Sequence, residues 1–267
     1  MAYAGSHRAL LSGSAFLPAS RALFARFTTP PTYARKVLIN NLIGSLIAAG
    51  VWGKLDALYL LAAADAQAAR QNWVANQYNI TAVNSPTFTT DRGYAGNGTS
   101  SYLRTNFNPT TAVSPRFTRN SAHASLTDLT SRAAANRVEF GAVSTLFTAE
   151  IATRYTGDLG LLRINNSAAP PAFSSTVSSG RFAVSRTGAT AMEAYRNAAS
   201  LGTSSDTSSA PINGEFYICC LNNVSSGLPS LYSTDQIAQT GFGGALSSAE
   251  IAAMDAAIAT YLTAVGT

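Results

Sequence analysis

Charged residues make up only 12% of this 267-residue chain, and lysine is nearly absent: Lys36 and Lys54 stand against sixteen arginines. The net charge of +5 comes from arginines scattered from Arg8 to Arg196 rather than gathered on one element. A nucleic-acid binder concentrates positive charge on one face, so no nucleic-acid partner is expected. Membrane-surface binding would want basic residues along one helix face, and Arg35 with Lys36 is too little. Cysteine is confined to Cys219 and Cys220. Neighbouring residues of a strand point to opposite faces, so these two cannot share a metal or close an unstrained bridge. Two cysteines also exclude a disulfide framework, and buried, reduced thiols packing as small hydrophobes are expected. No apolar run suits a membrane span of about 20 residues, because the zone 37–64 is broken by Asn40, Asn41, Gly50, Lys54 and Asp56. The first residues show no basic stretch followed by a clean apolar one, so no secretory leader is expected.

Recognisable catalytic spacing is lacking too. His7 and His123 fall in a tail and a loop-like stretch, and neither has a spaced partner for zinc. No Gly-x-Ser-x-Gly turn offers an activated serine. A retaining glycosidase on a β-sandwich needs two carboxylates about 5 Å apart, and no Glu-x-Asp-x-Glu strand supplies them. Glu139, Glu150, Glu193 and Glu215 stand singly on strand candidates and read as solvated edge charges. The chain is therefore expected not to be an enzyme. The exception would be a glycosidase drawing acids from different strands, for which Glu193 and Glu215 are the first to substitute. Asp91, Asp158, Asp206 and Asp235 fall in loops; they read as turn residues, with calcium the alternative, unsupported by any motif. No cofactor is expected.

What the chain does have is Ser, Thr, Ala, Asn and Gly in short runs with frequent turns, which lean towards an all-β body. Residues 213–223 alternate Phe216, Ile218 and Cys220 with Tyr217, Cys219 and Leu221, a strand apolar on both faces that belongs inside a sheet. Ser247-Ser-Ala-Glu250 is a capping box. Behind it Ile251, Met254, Ile258, Tyr261, Leu262 and Val265 recur at helical spacing, predicting a closing helix over 247–265. Nine short strand candidates run from residue 79 to 221, separated by turn signals and without intervening helices. Such a series means an antiparallel sandwich or barrel.

Ahead of them, Pro30 and Pro31 precede a predicted helix over 33–49 ending at Gly50. A second amphipathic helix is expected from Trp52 to about Ala64, and Asp65 can cap a third piece through Asn72. Residues 1–28 carry apolar residues without a sustained period and read as an arm, either disordered or docking. The domain expectation is thus an arm (1–28), a helical adaptor (29–73) and a β-sandwich with its closing helix (74–267). The adaptor's apolar faces exceed what it can bury alone, which favours a homo-oligomer or another subunit contact.

Several stretches are similar to phage and prophage virion proteins. Gly50-Val-Trp-Gly-Lys-Leu-Asp-Ala-Leu-Tyr-Leu-Leu resembles their helical lead-in, and Asn79-Ile-Thr-Ala-Val-Asn and Gly93-Tyr-Ala-Gly-Asn-Gly the residues before their jelly roll. Ala194-Tyr-Arg-Asn-Ala-Ala is similar to the hairpin of concanavalin A-like (laminin-G-like) domains, with Ala198 where a Gly usually stands; a longer loop is therefore expected. Tyr232-Ser-Thr-Asp-Gln-Ile-Ala and Leu246-Ser-Ser-Ala-Glu-Ile resemble the last strand and closing helix of the same proteins. Over residues 30–267 the resemblance implies a mainly β, concanavalin A-like antiparallel β-sandwich (jelly roll) with a small N-terminal helical segment and a C-terminal helix. It implies a fibre, spike or decoration subunit of a phage or phage-like particle, located in the virion, with capsid or tail proteins as partners and host-surface polysaccharide as a candidate ligand. The competing classes are a polysaccharide depolymerase and a free bacterial lectin. Sugar recognition needs flat apolar faces and planar polar groups. Tyr94 with Asn97, Arg154 with Tyr155, and Tyr195 with Arg196 offer them, although each pair also reads as ordinary sandwich packing.

Overall fold

The computed structural model describes residues 16–145, 147–166 and 172–267. The chain is mainly β, with two sheets and four α-helices among the described residues. The first sheet runs β13 (Ala199–Ser204), β12 (Ala191–Arg196), β11 (Gly180–Gly188), β6 (Ala122–Asp128), β17 (Gln236–Gly243), β4 (Gly93–Ala95) and β3 (Thr87–Thr89), with β1 (Leu55–Leu60) also pairing on β17. The second runs β10 (Phe173–Ser174), β9 (Leu159–Asn166), β8 (Thr148–Tyr155), β7 (Phe140–Val143), β14 (Tyr217–Ile218), β5 (Tyr102–Arg104) and β2 (Thr81–Val83). A hairpin of β15 (Leu221–Asn223) and β16 (Leu228–Ser230) joins it along β7. The pairing is antiparallel throughout except where β15 lies parallel to β7.

Between the sheets lies a dry aromatic core. Phe216 and Phe242 lie 5.2 Å apart and each is within 4.7 to 6.0 Å of both Phe107 and Phe140, and Phe117 joins through Phe216 at 5.3 Å. Offset and edge-on geometries at these separations add to the burial of large apolar surfaces.

Two longer helices cover the chain's other apolar surface. α2 (Tyr33–Ala48) starts on Thr32, whose side chain accepts from the Arg35 amide, and buries Ile39, Leu42, Ile43 and Leu46. α4 (Ser248–Val265) has the expected capping box between Ser247 and Glu250 and ends on Gly266 at φ 87°. It lies over the outer face of the first sheet, where Ile251, Met254 and Ile258 meet Ser125, Ala183 and Gln239. The short α3 (Ala66–Ala69) is capped by Asp65, which accepts from Gln67 and Ala68 amides.

Four local expectations are corrected. The segment from Trp52 is a 3-10 turn (Trp52–Lys54) followed by β1 rather than a second helix. All six β1 residues are buried, so both faces are occupied, and the one charged side chain, Asp56, accepts from the Arg116 and Phe117 amides at 2.8 Å each. His123 lies not in a loop but inside β6, at the centre of the first sheet. The expected strand over residues 214–221 is broken: Cys219 adopts φ 66° and separates β14 from β15. The tight turn at Asn197-Ala198 forms despite the missing glycine, with φ of 49° and 63° and Arg196 paired to Ala199 across it.

Residues 1–15, which include His7 and Arg8, lie outside the described residues. From Phe16 the chain packs on itself: α1 (Pro18–Phe24) buries Leu23, and Arg26 donates to the Asn72, Trp73 and Ala75 carbonyls.

Candidate functional site

The outer face of the second sheet follows from its register. Tyr217 lies opposite Arg104 and Gly141, while Ile218 lies opposite Leu103 and Phe140. Ile218, Leu103 and Phe140 are fully buried in the core, so alternation turns Arg104 and Tyr217 outward. On another part of this sheet Leu221 of β15 packs with Val138, Ala152 and Leu161 in a second small core. β5 and β14 add Tyr102, Arg104 and Tyr217 to the outward-facing residues of this sheet.

There three half-buried tyrosines meet. The rings of Tyr102 and Tyr217 are 4.8 Å apart at 34°, and Tyr232 approaches Tyr102 at 6.3 Å. Burial raises all three phenols above their ordinary range, and the buried Cys220 thiol adjoins them. Beside the rings Arg104 donates to Glu215 through two parallel bonds, Nε to Oε2 at 2.9 Å and Nη2 to Oε1 at 2.8 Å. This hydrogen-bonded partner raises the Arg104 pKa. The Arg104 side chain is 40% exposed, and a pair this wet adds little stability. Its consequence is geometric: planar donors and acceptors are held at the edge of an aromatic platform.

The six residues expected to contact sugar do not gather on one surface. Tyr94 is buried and donates to the Ala66 carbonyl. The Asn97 side chain accepts from the Thr99, Ser100 and Ser101 amides, shaping its own turn. Arg154 bonds Asp158 at 2.7 Å and the Arg132 carbonyl, and Tyr155 packs at the margin of the outer core. Arg196 donates to the Ser179 carbonyl and lies over the Phe182 ring. Tyr195 is buried and donates to Glu193 at 2.7 Å; those two adjoin a groove on the first sheet. The platform tyrosines had one signal in the sequence. Tyr102 and Tyr217 occupy the positions that alternate with core residues, where a polar side chain would be ordinary.

Two of the four glutamates expected to be solvated are buried. Glu139 pairs with Arg132 at 2.9 Å and also accepts from the Thr153 amide and Ser233 hydroxyl. Arg132 reaches Asp235 too, at 2.6 Å, with the Asp235 side chain fully buried. Burial, then the nearby Asp235 charge, raises Glu139, and the same causes hold the adjacent Asp128 carboxyl well above the ordinary range. Glu150 pairs with Arg163 at 2.7 Å. The loop aspartates Asp91 and Asp158 pair with Arg35 and Arg154, and Asp206 accepts from Asn166. No three His, Cys, Asp or Glu side chains converge as metal ligands among the described residues. No helix among them is long and apolar enough to cross a membrane.

No family model and no curated protein matches this chain. Solved structures do. A Trypanosoma rangeli sialidase mutant displaying trans-sialidase activity aligns with a TM-score of 0.53 at 13% identity, over 87% of this chain and 40% of the sialidase. Domain 4 of a Geobacillus stearothermophilus extracellular arabinanase, in complex with arabinotriose, aligns with a TM-score of 0.44 at 14% identity, over 75% of this chain and 98% of that domain. Likeness at such identity speaks to the fold. It also corrects the expectation that the chain is not an enzyme: the fold is shared with part of a sialidase, so the exclusion of catalysis from missing motifs does not stand.

Proposed function

We propose that the chain is a glycan-recognising module of concanavalin A-like architecture, whose sugar-stacking surface is the Tyr102–Tyr217–Tyr232 platform. The observation that carries this reading is the half-buried aromatic cluster itself, turned outward from the second sheet beside the Arg104–Glu215 pair. An uncovered apolar patch rimmed by polar groups marks a ligand surface. The flat face of a sugar ring stacks on an aromatic ring, and Arg104 with Glu215 offers both donors and acceptors to its hydroxyls. The fold likeness to a sialidase supports the architecture.

The test is a glycan array followed by titration of the best hit. Tyr217→Ala lowers affinity about tenfold or more, the change that 1.4 kcal/mol represents, while the variant stays folded. An array without hits refutes the reading. Processing of the bound glycan is the second arm, supported by the same fold likeness, and is checked by release of reducing ends from the polysaccharide bound. The ordered resemblance of residues 30–267 to virion proteins supports a place on a phage or phage-like particle, as a fibre, spike or decoration subunit. Copurification with particles in symmetry-matched copy number checks it.

A further inference from the structure

The opposite face of the molecule carries a second polar groove. Ser185, Glu193 and Thr203 stand side by side across β11, β12 and β13. Their neighbours Val184 and Ala194 are fully buried in the core, so alternation turns this row outward. The groove, about 470 Å³, ends against Ser247 at the start of α4. Its floor is fixed. The Ser185 hydroxyl donates to the Leu246 carbonyl at 2.7 Å and accepts from the Leu246 amide at 3.0 Å, tying the strand to the lead-in of α4.

Glu193 is the unusual member. The other four glutamates each hold a cation: Glu139 with Arg132, Glu150 with Arg163, Glu215 with Arg104 and Glu250 with Lys54. Glu193 alone has no cationic partner among the described residues, and its one hydrogen bond is Oε2 accepting from Tyr195. Burial and then that carboxylate raise the Tyr195 phenol, so it remains a donor. Oε1 has no hydrogen-bond partner among the described residues, and Glu193 lines a groove with Thr190 and Thr203, whose hydroxyls have none among them either. A carboxylate oxygen with neighbouring free hydroxyls is an acceptor array for a ligand rich in hydroxyl donors.

We propose that this groove is a second saccharide site, accepting hydroxyls of a neutral sugar on Glu193, so that one chain grips two glycan segments on opposite faces and bridges them. The inference rests on the reading of the tyrosine platform as a sugar surface. Two sites on one rigid body make attachment to a polysaccharide surface multivalent, worth about 10²-fold or more in retention over either site alone.

Calorimetric titration of the full chain with arabinohexaose, cellohexaose, maltohexaose and xylohexaose tests it. For at least one of the four, the native chain binds two equivalents, Glu193→Ala binds one, Tyr217→Ala binds the other, and the double variant none. Thr203→Arg blocks the groove from the neighbouring strand and keeps the test open should Glu193→Ala unfold. A single equivalent that is lost with Tyr217→Ala and kept with Glu193→Ala overturns the second site and leaves the platform standing. A single equivalent with the reverse pattern overturns both the bridge and the platform. No binding of any of the four sugars overturns the second site, while the platform reading stands or falls on the array.

Discussion

Arg104 and Glu215 face each other across β5 and the residue leading into β14, joined by two parallel hydrogen bonds of 2.9 and 2.8 Å at the edge of the Tyr217 ring. Both side chains are partly exposed, at 40% and 27%, so breaking the pair is expected to change stability by less than about 1 kcal/mol. Glycan affinity responds differently if the pair orients the sugar. Glu215→Gln keeps the shape but loosens the clamp, and Arg104→Ala removes it; affinity falls severalfold in the first and about tenfold in the second. Parallel urea melts and array titrations check the split. Equal loss of stability and binding would make the pair structural.

Ala198 sits at φ 63° in a two-residue turn, beside Asn197 at 49°. Left-handed backbone costs a residue with a Cβ about 1–2 kcal/mol, and part of any gain from glycine is returned as unfolded-chain entropy. Ala198→Gly should therefore stabilise the protein by about 0.5–1 kcal/mol, read as a higher urea midpoint at unchanged slope. An unchanged midpoint would mean that the turn carries no such strain.

The legible and illegible parts of this fold divide on physical grounds. The closing helix could be read because its capping box and its apolar stripe are local signals, and α2 likewise begins at its Thr32 cap after two prolines. β1 was hidden because Leu-Asp-Ala-Leu-Tyr-Leu suits either a helix or a strand buried on both faces. Its pairing on the distant β17, with the Arg116 and Phe117 amides satisfying Asp56, decides for the strand. β6 was missed since its alternation is between small residues, Ala122 and Ala124 against His123 and Ser125, and has little amplitude. The platform could be half seen: Tyr217 was assigned to the face opposite Phe216, but its meeting with Tyr102 and Tyr232 depends on strands far apart in sequence. Glu139 and Glu150 were read as solvated because nothing local announces the partners that bury them.

Arg186 is fully buried on β11, yet no carboxylate among the described residues forms an ion pair with it. It donates instead to the Ile164 carbonyl at 2.8 Å, to the Asn166 side chain and to the Asp206 carbonyl at 3.1 Å, joining the first sheet to β9 of the second. Arg186→Met fills much of the volume but strands several buried acceptors, and should cost about 3 kcal/mol or more. Arg186→Lys restores the charge without the fork and should recover less than half of that. Urea denaturation of the two variants measures both. A loss below about 1 kcal/mol in Arg186→Met would show that the carbonyls find other partners.

His123 offers a pH-dependent signature. It is fully buried in β6, with Nδ1 at 2.5 Å from the Gly244 carbonyl and no hydrogen-bond partner for Nε2 among the described residues. Burial is the main cause of a pKa lowered to about 4; the Gly244 carbonyl opposes it, and more weakly Lys54 lowers and Glu250 raises it. Above the unfolded value of about 6.5 neither state carries the proton, and the histidine contributes no pH dependence. Between about 6.5 and 4 the unfolded chain takes up a proton that the folded chain refuses, so stability falls by about 3 kcal/mol across that window. The buried acids Asp128, Glu139 and Glu150 act in the opposite sense: their raised folded pKa values favour the native state as the pH drops. Comparison with His123→Gln separates the two, because the acids are common to both proteins. The difference in unfolding free energy, native minus variant, should be flat from pH 8 to about 6.5 and then decline steadily towards about pH 4; curves that stay parallel over that range would mean that His123 gains its proton as easily in the folded chain as in the unfolded one.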